Sequence, residues 1–323
     1  MPIQSAIALV GLAKQSAKGS AAASPTFGVG VTDGTVVTVE VAQEMEERTS
    51  ATRISEAVNR TGVMPGIDYS TRAFLKTTGL ALYAALGNKS VSGAGPYTHI
   101  FTSGADDLPY LTAFGQMGSS IYSVQDTKVD SLGLSFEAGA PVTMAVSGMG
   151  TTLGFPGTFT PTVDESLGAS YFTAVAGTFK LDTDSATAVT ANIKSGEISI
   201  SNALESIMLS GSISPSDIFP GRQEITCSFD VVPDDLADWR TLVTGTSSGT
   251  TASAAPLYGS FEIAFTSGTA SLTLAATRVA FTTDFPSANA GGGPVTLSLA
   301  GIVLKPSSGA ALTATLVNGQ TTY

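Results

Sequence analysis

"AGAPVTMAVSG", residues 138–148, and "AGGGPVTLSLAG", residues 290–301, write one strand twice: Pro141-Val142-Thr143 returns as Pro294-Val295-Thr296, a shift of 153 residues (294 − 141). In the first copy Val142, Met144 and Val146 alternate with small or polar residues, and in the second Val295, Leu297 and Leu299 do the same. A period of two sends one set of side chains to a core and the other to solvent, the pattern of a half-buried antiparallel strand. Working outward, the same alternation appears at Val37, Val39 and Val41, at Leu132, Leu134 and Phe136, at Ile198 and Ile200, and at Leu272 and Leu274. The chain is therefore expected to be mainly β.

Helix signals are few. "TTGLALYAALGN" carries Leu82 and Leu86 four apart and stops at Gly87. "VPDDLADWRTLVTG" has Pro233 at a helix start, Asp234 and Asp235 in its positive first turn, a stripe of Leu236, Trp239 and Leu242 facing a core, and a stop at Gly245.

Three further matches accompany the first. "MPG" at 64–66 answers "FPG" at 219–221, with Phe74 and Phe229 eight residues beyond each glycine, at strand ends ahead of helices. "FTSG" at 101–104 recurs at 265–268. Four matches in one order point to tandem duplication, with the join near residues 154–162. The expected divisions are an N-terminal arm at 1–30, a first domain at 31–155 and a second at 156–323. Residues 14–34 lack apolar periodicity and are rich in Gly, Ala and Ser, so a neighbouring subunit is expected to hold the arm in place.

Composition narrows the function. Charged residues make up 13% of 323, against roughly 25% in soluble proteins, while 43% are apolar and Gly numbers 35. A neutral, small-featured surface suits a protein covered by copies of itself, and equally a secreted β-rich domain. Net charge is −11, with 9 basic and 12 acidic residues up to position 155 and 6 and 14 after it. No Lys/Arg cluster is present to release counterions from phosphates, so DNA is not expected to be gripped, although an acidic wall would let a duplex slide past. Cys227 is the single cysteine, read as a buried strand residue, and His99 the single histidine, read as a satisfied strand-edge residue with no Gly-x-Ser-x-Gly elbow to serve. No catalytic residue, metal or cofactor is expected. The apolar stretch Ala6–Ala13 follows no basic residue and is too short to span a bilayer, so neither signal peptide nor membrane anchor is expected.

Between the first strand and Met64 lies "QEMEERTSATRISEAVNRTG", residues 43–62, with seven charged residues in twenty. Long loops in compact domains are usually functional. Glu44, Glu46, Glu47 and Glu56 beside Arg48, Arg53 and Arg60 offer both signs to a partner, which favours register over raw affinity. The corresponding excursion at 202–218 is apolar and nearly uncharged, so the two tips are expected to make complementary contacts.

"GLAKQSAKGSAAASPTFGV", "VTVEVAQEMEERTS", "GLALYAALG", "YTHIFTSGADDLPYLTAF" and "VDSLGLSFEAGAPVTMAVSGMG" together resemble the major tail tube proteins of long-tailed bacteriophages, particularly those of actinobacteria. The resemblance covers roughly residues 1–155 and carries no catalytic signature. It implies two packed antiparallel sheets, a sandwich or barrel, with a flanking helix. Inner strands of neighbouring subunits would join into a β-barrel, and stacked rings would be bridged by the loop 43–62 and the arm 1–30. A doubled domain implies three chains per ring with pseudo-six-fold symmetry; a C-terminal half serving as a separate decoration would instead leave a true hexamer. The implied partners are the chain itself, tape measure protein, and tail terminator and tip proteins. DNA would pass through unbound, and the protein would be made in the host cytoplasm and reside in the virion tail. Glu40 is the expected lumen-facing acid.

Two rival classes remain. A secreted or surface carbohydrate-binding β-sandwich fits the Gly/Ser/Thr content but not the scarcity of aromatics, 7% with one Trp. An enzyme would rest on paired carboxylates, yet Asp106-Asp107 and Asp234-Asp235 read better as a turn and a helix start.

Overall fold

A computed structural model of the chain describes residues 8–45, 58–182, 189–190, 192–234, 236–283 and 294–323. Strands dominate it, as the alternation requires. The N-terminal half runs β1 (Ala8–Lys14), β2 (Phe27–Gly30), β3 (Asp33–Met45), β4 (Val58–Arg72), α1 (Thr77–Leu86), β5 (Asn88–Ser92), β6 (Tyr97–Thr102) and β7 (Leu111–Met117). It continues with β8 (Ser120–Glu137), β9 (Thr143–Met149), β10 (Thr152–Gly154) and β11 (Val163–Glu165). The C-terminal half runs β12 (Gly177–Asp182), β13 (Val189–Thr190), β14 (Ile193–Ser201), β15 (Glu205–Ile207), β16 (Asp217–Phe219) and β17 (Glu224–Val231). After α2 (Ala237–Thr244) come β18 (Gly259–Ser267), β19 (Ala270–Thr283), β20 (Leu297–Val303) and β21 (Thr313–Asn318).

Two long strands organise everything else. The first part of β8 pairs with β7 and β10, and its second part with β9 and β14. β19 repeats this: its first part pairs with β18 and β21, and its end with β20. The result is a continuous antiparallel run of eight strands in the order β3-β4-β9-β8-β14-β17-β20-β19. A second layer lies against it, built from β2-β1-β7 and the start of β8 in one half and from β12-β18 and the start of β19 in the other.

Side-chain period decides which face of the run is buried. Ile67, Tyr69, Val146, Met144, Leu132, Leu134, Ile198, Ile200, Cys227, Phe229 and Leu299 all point between the layers. There Phe229 meets Phe261 of β18 edge-on at 5.4 Å and Phe136 stacks on Phe179 at 5.2 Å. Cys227 is buried as expected, and burial pushes its thiol up to about 12.

The helix α1 ends at Gly87 as its sequence indicates, and nine of its ten residues are buried. Its amino end is held by Glu165, whose Oε2 accepts from the Thr77 amide at 2.8 Å and the Thr77 hydroxyl at 2.7 Å. Glu165→Ala leaves those buried donors unmatched and is expected to destabilise by about 1–3 kcal/mol. Urea denaturation checks this, with Glu165→Gln, which keeps an acceptor, losing less.

Several expectations are corrected. Residues 8–30 are not an arm held by a neighbour: β1 sits between β2 and β7 of its own sheet, with Val10, Leu12, Phe27 and Val29 in the core. The alternation there was masked by Gly11, Gly28 and Gly30. Residues 1–7 lie outside the described residues. The segment after Gly154 packs on the first half, since β11 pairs with β2 and the Phe172 amide donates to Ala73 O. The expected boundary at 155/156 therefore precedes the packing boundary, near Gly177. His99 is not at an edge: β6 lies between β5 and β21, and His99 is buried with Nε2 bonded to Gln320 O at 2.7 Å. Helix α2 starts at Ala237 rather than at the Asp pair, and Leu236 is exposed. Asp235 and the Trp239 side chain lie outside the described residues.

The strand matches fare unequally. "PVT" leads into β9 and β20, and Val146 and Leu299, three residues past each Thr, face Tyr69 and Phe229. Tyr69, not Phe74, therefore stands where Phe229 stands, and "MPG" and "FPG" fall at different positions. "FTSG" ends β6 in one copy and forms the β18–β19 turn in the other. The counterpart of Gly268 (φ 62) at that turn is Gly118 (φ 60) between β7 and β8, each opening a two-residue hairpin turn with the positive φ that glycine allows.

Candidate functional site

The face of the eight-strand run that points away from the second layer is polar, and the ladder registers arrange it in rows. One row reads Asp68, Ser147, Ser131, Ser201, Glu224. The next is uncharged: Ser70, Ala145, Gly133, Ser199, Thr226, Ile302, Ala280. A third reads Arg72, Thr143, Ser135, Glu197, Ser228, Ala300, Thr282, and a fourth Glu137, Ser195, Asp230, Ser298. Beyond the first row, Glu40 of β3 faces Met64 of β4 on the same side.

Within the rows, hydroxyls bridge neighbouring strands. Ser131 and Ser147 meet at 2.8 Å, and Ser135 and Thr143 at 2.7 Å. Asp230 accepts from Ser298 at 2.6 Å and from Ser195 at 2.9 Å, and these bonds hold its carboxyl below the usual carboxylate range. Such cross-strand pairs contribute about 0.2–1 kcal/mol each. They tie the hydroxyls down to the sheet and leave a surface of short side chains. Five carboxylates stand in these rows and Glu40 beside them makes six, against the single guanidinium of Arg72 in the rows, which itself lies over the Tyr171 ring at 4.6 Å. Only Glu40 among the six was expected here. Asp68, Glu137, Glu197, Glu224 and Asp230 each alternate with apolar neighbours, so their sidedness was readable, but which sheet face they share was not.

The run ends in a strand on each side. Among the described residues β3 pairs with β4 alone, and β18 leaves β19 at Val279, so from Ala280 to Thr282 that side of β19 carries no strand there.

The charged excursion begins and ends in paired strand. β3 and β4 stay paired out to Met45 and Val58, with Glu44 facing Asn59 and Arg60 facing Gln43. Glu44 and Arg60 are exposed. Glu46, Glu47, Arg48, Arg53 and Glu56 lie outside the described residues. The apolar excursion is itself a small hairpin, β15 with β16, docked beside the first through the Val63 amide on Ile213 O at 2.6 Å. Val39, Val41, Met45 and Val58 on one hairpin and Ile207, Met208, Leu209 and Ile213 on the other are exposed.

A layered sheet with an acidic, hydroxyl-lined face and unfinished ends is the outline of an assembling structural protein. The family model described as phage tail tube protein matches residues 5–315, and the chain belongs to that family. It is accordingly a structural component of the virion tail that self-assembles into a tube. No curated protein matches the chain. Among the described residues no helix is long and apolar enough to cross a membrane.

Proposed function

We propose that three copies close into a ring whose inner wall is the eight-strand run of each, and that stacked rings form the conduit through which double-stranded DNA is ejected from a long-tailed phage of an actinobacterial host. The observation that carries this reading is the run itself. The order β1, β3, β4, α1, β7, β8, β9, β10 is repeated by β12, β14, β17, α2, β18, β19, β20, β21, with the same ladder partners. That supports a duplicated tube unit, two per chain and six per ring, rather than a tube domain with a separate decoration. An open strand edge is normally a hazard for aggregation; here each edge is covered by a sibling. A heterologous contact of this kind closes when its rotation divides the circle.

The polar face lines the bore. Its carboxylates repel phosphates, each pair worth about 1 kcal/mol at 4 Å in water but summed around the ring, so the duplex meets a wall to which it does not adhere. Glu40 and the five acids in the rows carry this role. The excursion 43–62, with Glu44, Glu46, Glu47, Arg48, Arg53, Glu56 and Arg60, bridges one ring to the next. The chain's further partners are the tape measure protein and the tail terminator and tip proteins. The chain is synthesised in the host cytoplasm.

Electron microscopy of the purified chain tests the reading. Tubes of stacked rings with three-fold and pseudo-six-fold symmetry are expected; discrete monomers at high concentration overturn it.

A further inference from the structure

We infer that the free edge of β3 in one copy pairs antiparallel with the end of β19 in the next, in the register that sets Glu40 opposite Thr282. This rests on the ring reading above and adds the identity and alignment of the joint.

The joint inside the chain supplies the template, because β8 and β14 already make the contact that two units must make. Their register sets Ser131 opposite Ser201. The places of these two residues can be found at the free ends. On one side, Tyr69 and Phe229 hold equivalent places, and five residues before them stand Met64 and Glu224. Met64 faces Glu40 and Glu224 faces Ser201, so Glu40 holds the place of Ser201. On the other side, Ser147 and its counterpart Ala300 face Ser131 and Thr282, so Thr282 holds the place of Ser131. Carrying the internal pair across gives Glu40 opposite Thr282.

Three features agree. Face parity is kept: Glu40 and Thr282 both lie on the polar side, as Ser131 and Ser201 do. Burial is unfinished at the free edge of β3: Ile200 on β14 is 1% exposed, while Val39, which holds its place on the core side of β3, is 42% exposed, the deficit a neighbouring strand would remove. Chemistry fits as well: the Thr282 hydroxyl, which donates to Ala300 O at 3.2 Å within its own copy, would turn to the Glu40 carboxylate and repeat the Ser195 to Asp230 bond of the internal sheet. A one-residue slip would send every side chain of the joining strand to the wrong face.

The test uses the full chain with Cys227→Ser, Glu40→Cys and Thr282→Cys, oxidised after assembly and resolved on a denaturing gel. Covalent multimers ending at the closed ring are expected, with none from either single-cysteine chain and several-fold less from the shifted pair Thr38→Cys with Thr282→Cys. Stronger linkage from the shifted pair overturns the register. Should the double variant fail to assemble, a density map of the unmodified tube reads the joint directly. Cα atoms of Glu40 and Thr282 from adjacent copies about 5.5 Å apart or closer support it, and any other residue facing Glu40 overturns it. Tubes with a different register sink this inference alone; no tubes under any condition sink the ring reading as well.

Discussion

A chain in which residues 43–62 are replaced by a short Gly-containing turn is expected to fold as its parent does and to form no tubes. The removed stretch is the outer part of the β3–β4 hairpin, where Gln43 faces Arg60, Glu44 faces Asn59 and Met45 faces Val58. These residues pair with each other, whereas β9 joins β4 from Gly66 onward, so the eight-strand run keeps its ladder. What disappears is exposed surface: Met45 is 61% and Val58 56% exposed, beside the likewise exposed Leu209 and Ile213 of the second hairpin. Exposed apolar side chains gathered on two neighbouring hairpins mark a protein contact, and charges of both signs beside them set register. Circular dichroism and a urea midpoint close to the parent's establish the fold; microscopy at concentrations where the parent polymerises reads the assembly. Rings without tubes are the expected product, because the edge at Glu40 is retained. Tubes of normal length refute the bridging role of the hairpin.

Tyr323→Ala is expected to destabilise the chain by about 3–5 kcal/mol, the range for removing a large buried aromatic. β21 starts on the second half, paired with β19, and its other edge pairs with β6 of the first. Beyond it the Tyr323 ring enters the first half, 5.5 Å from Phe27, 4.7 Å from His99 and 5.8 Å from Phe101. Its hydroxyl meets Asn318 Nδ2 at 2.7 Å, and burial drives its pKa well above the ordinary value. Together with the β8–β14 joint, this contact fastens the two halves to each other. Gly79 of α1 supplies a sharper check, since a Cβ there would lie 2.2 Å from the Tyr323 ring. On helix propensity Gly79→Ala would stabilise by about 1 kcal/mol; it is expected to destabilise instead. Urea denaturation of both variants decides, and an unchanged midpoint for Tyr323→Ala removes the ring from any fastening role.

Much of the fold was legible because strands announce themselves through side-chain alternation. Leu132, Leu134 and Phe136 fall on the core side of β8, Ile198 and Ile200 on that of β14, and Leu297 and Leu299 on that of β20. The strand in residues 8–14 was not legible, because a fully packed strand containing Gly11 and flanked by glycine-rich sequence shows no polar alternation. The repeat was legible at Pro141 and Pro294, where chemistry and place coincide. It misled at "FTSG" and "MPG", where like residues serve unlike positions. Short Gly/Ser/Thr/Pro words recur at any turn, so their identity carries little positional meaning.

Alternation along the chain by itself determined that this protein is mainly β, which residues seek the core and which, like Glu40, seek water. Those are properties of a segment and its immediate neighbours. Only the tertiary structure decided that β8 lies beside β14, that five further carboxylates share one face with Glu40, and that the run stops at β3 and β19. The physical reason is that strand partnership is made by main-chain N–H and C=O groups, which are the same at nearly every residue, so the choice of neighbour is written in packing across the sheet and not in the strand itself.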